Sequence, residues 1–368
     1  MTDAFATPYR RLDHAPNHYA RPLRRLLIPF LLASIIFLEV LTTSRPVHAQ
    51  TASSQAALIA LIQDVQGATA YRYGVHDLDG RTMDTVKIIP NPAGGYLAVY
   101  HYLSVGDNSF HVRVATSSDL LKWRASRNEL GAHESQPTIA YLSDGGFLVA
   151  VEADTNGSPT PRVWVRFKHY ASLRDLLAGS ADRTFDAPHT LVPRDSGAEG
   201  TPNIYSVSLA PDLANSTVDV GFHYYMNADV DRQARGTLTN LGSASPGWTT
   251  RVESKLNQDL LASGDVHGNV GDRDHMMWFG RSYNLHEVQL TKHDFGSWRV
   301  NLYDWSSGTA TRLAVKTRLR STSFANPTFT NLRSPRPGGR NAVVVTLFLP
   351  SEGAKSGEGG ELIYYKEY

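Results

Sequence analysis

From residue 70 to its C-terminus the sequence repeats one pattern, and that pattern constrains the fold more than any other feature. A polar corner, often before Pro, opens a short strand. A Gly or Asp turn and a very apolar strand follow, then a third strand and a loop. Unit one reads 84–89, 95–102 and 110–115; unit two 137–141, 146–151 and 162–170; unit three 202–205 and 218–226. Unit four reads 266–269, 275–280 and 284–291, and unit five 327–329, 342–349 and 361–365. Corners at 84, 137, 202, 271 and 327 are 53, 65, 69 and 56 residues apart. Short β-branched and aromatic runs between Gly, Pro, Asn, Asp and Ser clusters are strands. Periods of this size with about four strands each predict an all-β, five-bladed β-propeller. The second strands (Tyr96-Leu97-Ala98-Val99-Tyr100, Phe147-Leu148-Val149-Ala150-Val151, Val343-Val344-Val345) are apolar throughout, as strands buried on both faces would be. Unit five stops after its third strand, so residues 69–76 are expected to supply its outer strand and close the ring. A pair of β-sandwiches is the plainer rival. Few windows carry a helical period, residues 55–63 and 171–178 being the best.

The first fifty residues read differently. Residues 1–25 carry Arg10, Arg11, Arg21, Arg24 and Arg25, an apolar run spans 26–41, and Val47-His48-Ala49 ends in small residues. That order predicts a secretory signal peptide over 1–49, with an uncleaved anchor as the second reading. Pro29 and Glu39 interrupt a run already short for a membrane span. Residues 50–68 are then a linker or short helix, and 69–368 a single propeller domain. The 319 residues after position 49 carry 30 basic and 32 acidic side chains. Such a balance offers no footprint for nucleic acid, and no membrane contact is expected once the signal is removed. The expected form is a secreted, extracellular monomer. With no cysteine in the chain, disulfide scaffolds, thiolate metal sites and cysteine nucleophiles are excluded.

Three turns point to a family. Ser117-Ser118-Asp119-Leu120-Leu121-Lys122-Trp123, Ser172-Leu173-Arg174-Asp175-Leu176-Leu177 and Lys292-His293-Asp294-Phe295-Gly296-Ser297-Trp298 close the outer edges of units one, two and four. An Asp there caps the turn and a Trp covers the blade edge. These turns resemble those of five-bladed propeller glycosidases, glycoside hydrolase family 43 and its relatives. The resemblance implies three carboxylates from the first three units around an axial pocket. Asp84 matches the general-base position, although Thr85 replaces the usual proline. Glu199-Gly200-Thr201-Pro202 is similar to the general-acid corner with one residue inserted. Glu134-Ser135-Gln136-Pro137 lacks the Asp of the second unit, so Glu134 becomes the group that orients Glu199. Val266-His267-Gly268-Asn269 is similar to the fourth-unit segment that brings a His to the axis, sometimes beside calcium; His267 is therefore the metal candidate. No other cofactor is implied.

Glycoside hydrolysis needs two carboxyls flanking the scissile bond, and Asp84, Glu134 and Glu199 sit at corresponding corners of consecutive units. The plainer reading makes each a local turn cap. Asp272, Arg273, Asp274 and His275 form a polar cluster suited to a sugar hydroxyl or carboxylate, while mutual Asp–Arg pairing would merely hold the blade's start. Trp278 and Tyr224 offer flat faces to sugar rings, though packing between blades explains most such aromatics. The expected activity is hydrolysis of a poly- or oligosaccharide with inversion. The rivals are a carbohydrate-binding propeller without catalysis and a polysaccharide lyase using the 267–275 segment.

Overall fold

The computed structural model describes residues 47–155, 162–195, 197–226 and 229–368. Of the signal peptide expected over 1–49, residues 1–46 lie outside them, and 47–49 open a helix. Residues 46–368 form one compact unit.

Five antiparallel sheets follow one another along the chain. Blade I comprises Asp84–Pro90, Tyr96–Ser104, Ser109–Ser117 and Arg124–Ala125, with Gly131–Ala132 also paired to its third strand. Blade II comprises Glu134–Tyr141, Phe147–Asp154, Val163–Tyr170 and Arg183–Asp186. Blade III comprises Glu199–Leu209, Ser216–Met226, Val230–Thr239 and Gly247–Val252. Blade IV comprises Val270–Trp278, Arg281–Gln289, Trp298–Asp304 and Thr309–Arg312. Blade V takes Ala325–Arg333, Asn341–Leu349 and Gly360–Glu367, and its fourth strand is Ala70–Arg72 from the other end of the chain, with Tyr71 opposite Tyr364. The closure expected from residues 69–76 is therefore made. Each first strand touches the first strands of both neighbouring blades, V meeting I, so the ring is complete. This is a five-bladed β-propeller.

Alternation explains the apolar second strands. Leu97 and Val99 pack towards blade II, while Ala98 and Tyr100, one residue out of step, pack towards blade V. Apolar clusters of this kind fill the seams I–II, II–III, IV–V and V–I. None of these clusters bridges III and IV, whose seam is polar: Gln233 donates to the Val270 carbonyl, and Arg235 of blade III lies 5.4 Å over the ring of Trp305, which follows the third strand of blade IV. Across the axis, Lys87 of blade I meets Asp274 of blade IV at 2.5 Å, both buried. The outer turns are structural caps: Asp119 accepts from the amides of Leu121 and Lys122, and Trp123 is fully buried above it.

Of the two forms expected for residues 50–68, linker or short helix, the structure has the helix over 50–63, starting three residues earlier than expected. Val47–Gln63 is a helix whose Leu58, Leu61 and Ile62 join the core of blades IV and V. The second helical window, 171–178, is realised as Leu173–Ala178, capped by Ser172.

Candidate functional site

All five first strands begin at one end of the ring, and each carries a β-bulge two to four residues in. In four of them the bulge holds a non-glycine residue in the left-handed region: Thr85 (φ 56°), Gln136 (53°), Thr201 (49°) and Asn326 (47°). Such residues cost of order 1 kcal/mol each and persist where their surroundings fix them. Here the fixing comes from the preceding blade. The amide of Gln136 donates to His101 Nδ1 (3.0 Å), that of Thr201 to Glu152 Oε2 (2.9 Å), that of Thr85 to Glu361 Oε2 (3.2 Å) and that of Asn326 to Glu287. A ring of caps thus aims the strand starts at the axis.

The residue before each bulge lies opposite an equivalent residue of the second strand: Asp84 opposite His101, Ser135 opposite Glu152, Gly200 opposite His223. Asp84 is the one carboxylate among these three axial positions. It is half-buried, accepts from the Thr82 hydroxyl at 3.1 Å, and burial pushes its carboxyl up. Behind it stands Glu361, fully buried, which burial and the Asp84 charge push well up.

At Gly200 the missing side chain matters. A Cβ there would lie 2.1 Å from Glu152 Oε2, so glycine is what lets the blade II carboxylate enter the blade III position. Glu152 accepts from the Thr201 hydroxyl (3.0 Å) and faces His223 Nε2 at 3.4 Å. His223 Nδ1 in turn lies 3.7 Å from Asp231. Burial pushes the Glu152 carboxyl up, but His223 and Thr201 outweigh it and hold the group below its ordinary range. Burial likewise opposes the charged form of His223, but the flanking carboxylates Asp231 and Glu152 prevail and raise it to about 9. Asp231 is pushed up by its own burial. At neutral pH the array is an imidazolium between carboxyl groups, one of them, Glu152, ionised.

The three carboxylates expected together are not brought together. Glu134 and Glu199 correspond to each other but precede the bulge by two residues, so they leave the strand on the face opposite Asp84's. The Glu134 side chain is 1% exposed and held by Lys168 (2.6 Å) and Arg166 (3.1 Å). Glu199 Oε1 accepts three amides, from Thr190, Leu191 and Val192, at 2.8, 2.6 and 3.1 Å. Both are structural anchors. Asp272 precedes the blade IV bulge, opposite His286, at the position that Asp84 holds in blade I, and Arg273 occupies the bulge; their side chains fall outside the described residues. His275 lies further along that strand, stacked on Tyr205 at 4.7 Å with Nδ1 3.0 Å from Asn284 Oδ1, within the III–IV seam. Trp278 is 2% exposed at the strand's far end, donating to the Ser54 carbonyl of the N-terminal helix. Tyr224 packs with Val220 and Phe222 in the II–III core. Neither aromatic presents a face to a sugar. His267 is exposed on a loop, and among the described residues no group of three or more His, Asp or Glu side chains could hold an ion.

What the sequence reading missed is the second-strand set. One signal for it was present: His101, Glu152 and His223 each follow a five-residue, largely apolar run, Tyr96–Tyr100, Phe147–Val151 and Val218–Phe222.

No protein-family model matches the chain, and no curated protein matches it either. Solved structures do. An exo-1,5-α-L-arabinanase from a bovine ruminal metagenomic library is similar with TM-score 0.48 and 9% identity over 78% of this chain and 92% of that one. An α-L-arabinofuranosidase from Lactobacillus brevis gives 0.47 and 10%, over 77% and 90%. A glycoside hydrolase family 43 β-1,3-galactosidase gives 0.42 and 10%, over 81% and 93%. At these identities and scores the likeness is one of architecture, which the strand order already establishes.

Proposed function

We propose that this chain is an exported glycoside hydrolase whose site lies around the ring axis at the end where the first strands begin. The observation that carries the reading is Asp84 facing the same axis as a Glu152–His223 pair, with environments that differ in kind. Burial opposes ionisation of Asp84, whereas Glu152 and His223 hold each other in charged form. Paired titratable groups tuned by different surroundings are what acid–base hydrolysis requires. The ionised Asp84 takes a proton from water as the water oxygen attacks the anomeric carbon. The glycosidic C–O bond breaks, and the leaving oxygen receives the proton carried by the Glu152–His223 pair. Attack by water in one displacement inverts the anomeric centre. Phe110, 38% exposed and 4.6 Å from the His101 ring, supports a carbohydrate substrate by offering an aromatic face at the rim. Export rests on the arginine-rich start and apolar run of residues 1–41.

The test is reducing-end release from arabinans, xylans, galactans and uronate polymers. Release by wild type that falls about 10²–10⁴-fold in both Asp84→Asn and Glu152→Gln supports the reading. Unchanged release in either variant removes that residue from the chemistry. A second reading, carbohydrate binding without cleavage, is favoured by Ser135 and Gly200 standing where the resemblance implies carboxylates. It predicts calorimetric binding of one of these polymers with no release.

A further inference from the structure

The ring end opposite the site carries a feature that neither folding nor hydrolysis explains. Phe279 and Gly280 form the two-residue hairpin between Val270–Trp278 and Arg281–Gln289, with φ 44° and 76°. Hairpins of this kind take Asn, Asp or Gly at the first position, and a bulky aromatic there is strained. Phe279 is nevertheless 72% exposed, and Met277 beside it 54%. Burial therefore does not account for the strained residue. Its ring lies 6.5 Å from that of Tyr368, itself 39% exposed. The Tyr368 amide donates to the Asn341 carbonyl, and the loop that ends there, between Ala325–Arg333 and Asn341–Leu349, carries exposed Arg336 and Arg340 at the same end of the ring.

The polypeptide joins the ring at the same place. Trp278 donates to the Ser54 carbonyl, and the helix starts seven residues earlier at Val47, about 10 Å along its axis at 1.5 Å per residue. Forty-six residues precede it, including the apolar run 26–41 behind Arg21, Arg24 and Arg25.

We propose that this end of the ring docks on a lipid surface bearing anionic headgroups. Phe279 and Met277 enter the interface, and Arg336 and Arg340 lie over the headgroups, the combination of aromatic and basic side chains that membrane interfaces select. The axial site, at the other end of the ring, then faces away from the membrane. This departs from the expectation of a chain free of membrane contact, and it stands whether or not the site hydrolyses sugars.

The absence of native cysteine makes the test direct. Full-length Met277→Cys and, separately, Val105→Cys (98% exposed, at the site end) receive an environment-sensitive fluorophore and are bound to phosphatidylglycerol-containing vesicles with brominated acyl chains. Docking predicts quenching at position 277 and none at 105. Adding Phe279→Asn, whose side chain suits the turn, should abolish quenching at 277 while leaving the melting temperature equal or higher. Equal quenching at both positions, or quenching at 277 that survives Phe279→Asn, overturns the proposal. So does a response at 277 that rises with protein concentration without vesicles, which would assign the patch to a second copy of the chain.

Discussion

His223 offers the sharpest physical test because its charge is tied to the fold. In the unfolded chain the imidazole titrates near 6.5; in the folded protein Asp231 and Glu152 raise it to about 9. Between those values the native state binds a proton that the unfolded state does not. At 1.36 kcal/mol per pH unit, that proton stabilises the native state by about 3 kcal/mol below pH 6.5. The contribution declines as pH rises and is gone above pH 9. His223→Gln removes it and leaves Glu152 and Asp231 facing each other without a counter-charge. Urea unfolding at pH 6, 7, 8 and 9 should therefore show the variant about 3 kcal/mol less stable than wild type at pH 6, with the gap closing towards pH 9. Taking the difference between the two proteins cancels the titration of groups outside the Glu152–His223–Asp231 array. A gap that stays constant across this range would refute the charged array.

Two further outcomes follow from the same geometry. Glu199→Gln weakens an acceptor of three amides and should lower stability by about 1–3 kcal/mol in urea, while the activity of each folded molecule is retained. Gly200→Ala places a Cβ 2.1 Å from Glu152 Oε2, so the carboxylate must move; stability should fall by about 1–3 kcal/mol, and the alkaline limb of the pH–rate profile should move below its wild-type position as His223 loses its partner.

The architecture was legible because it rests on patterns that a sequence carries directly. Strand-length apolar runs, turn residues between them and a missing last strand were enough to place five blades and the closure through Ala70–Arg72. Site placement failed at the bulges. Each bulge inserts residues into the first strand, and one residue of phase moves a side chain to the other face. Counting from the corners put Glu134 and Glu199 in step with Asp84, whereas the residues actually in step are Ser135 and Gly200. The X-Pro pairs Gln136-Pro137, Thr201-Pro202 and Asn326-Pro327 mark the bulges, but proline restricts its predecessor towards extended conformations, so a left-handed residue there was not the expected reading. Glu152 was hidden for a different reason. It sits at the end of a core strand and serves the neighbouring blade's position, a contact that exists only because residue 200 has no side chain.

The central claim is that the proton reaches the leaving group through the Glu152–His223 pair on the second strands of blades II and III, and not from Glu199. The most direct measurement is kcat for Glu152→Gln and Glu199→Gln side by side, on whichever polymer the wild type cleaves, normalised to folded protein. The account predicts a fall of about 10²–10⁴ for Glu152→Gln and near wild-type turnover for Glu199→Gln. Loss of turnover in Glu199→Gln with Glu152→Gln still active would contradict it and return the acid to the first strand of blade III.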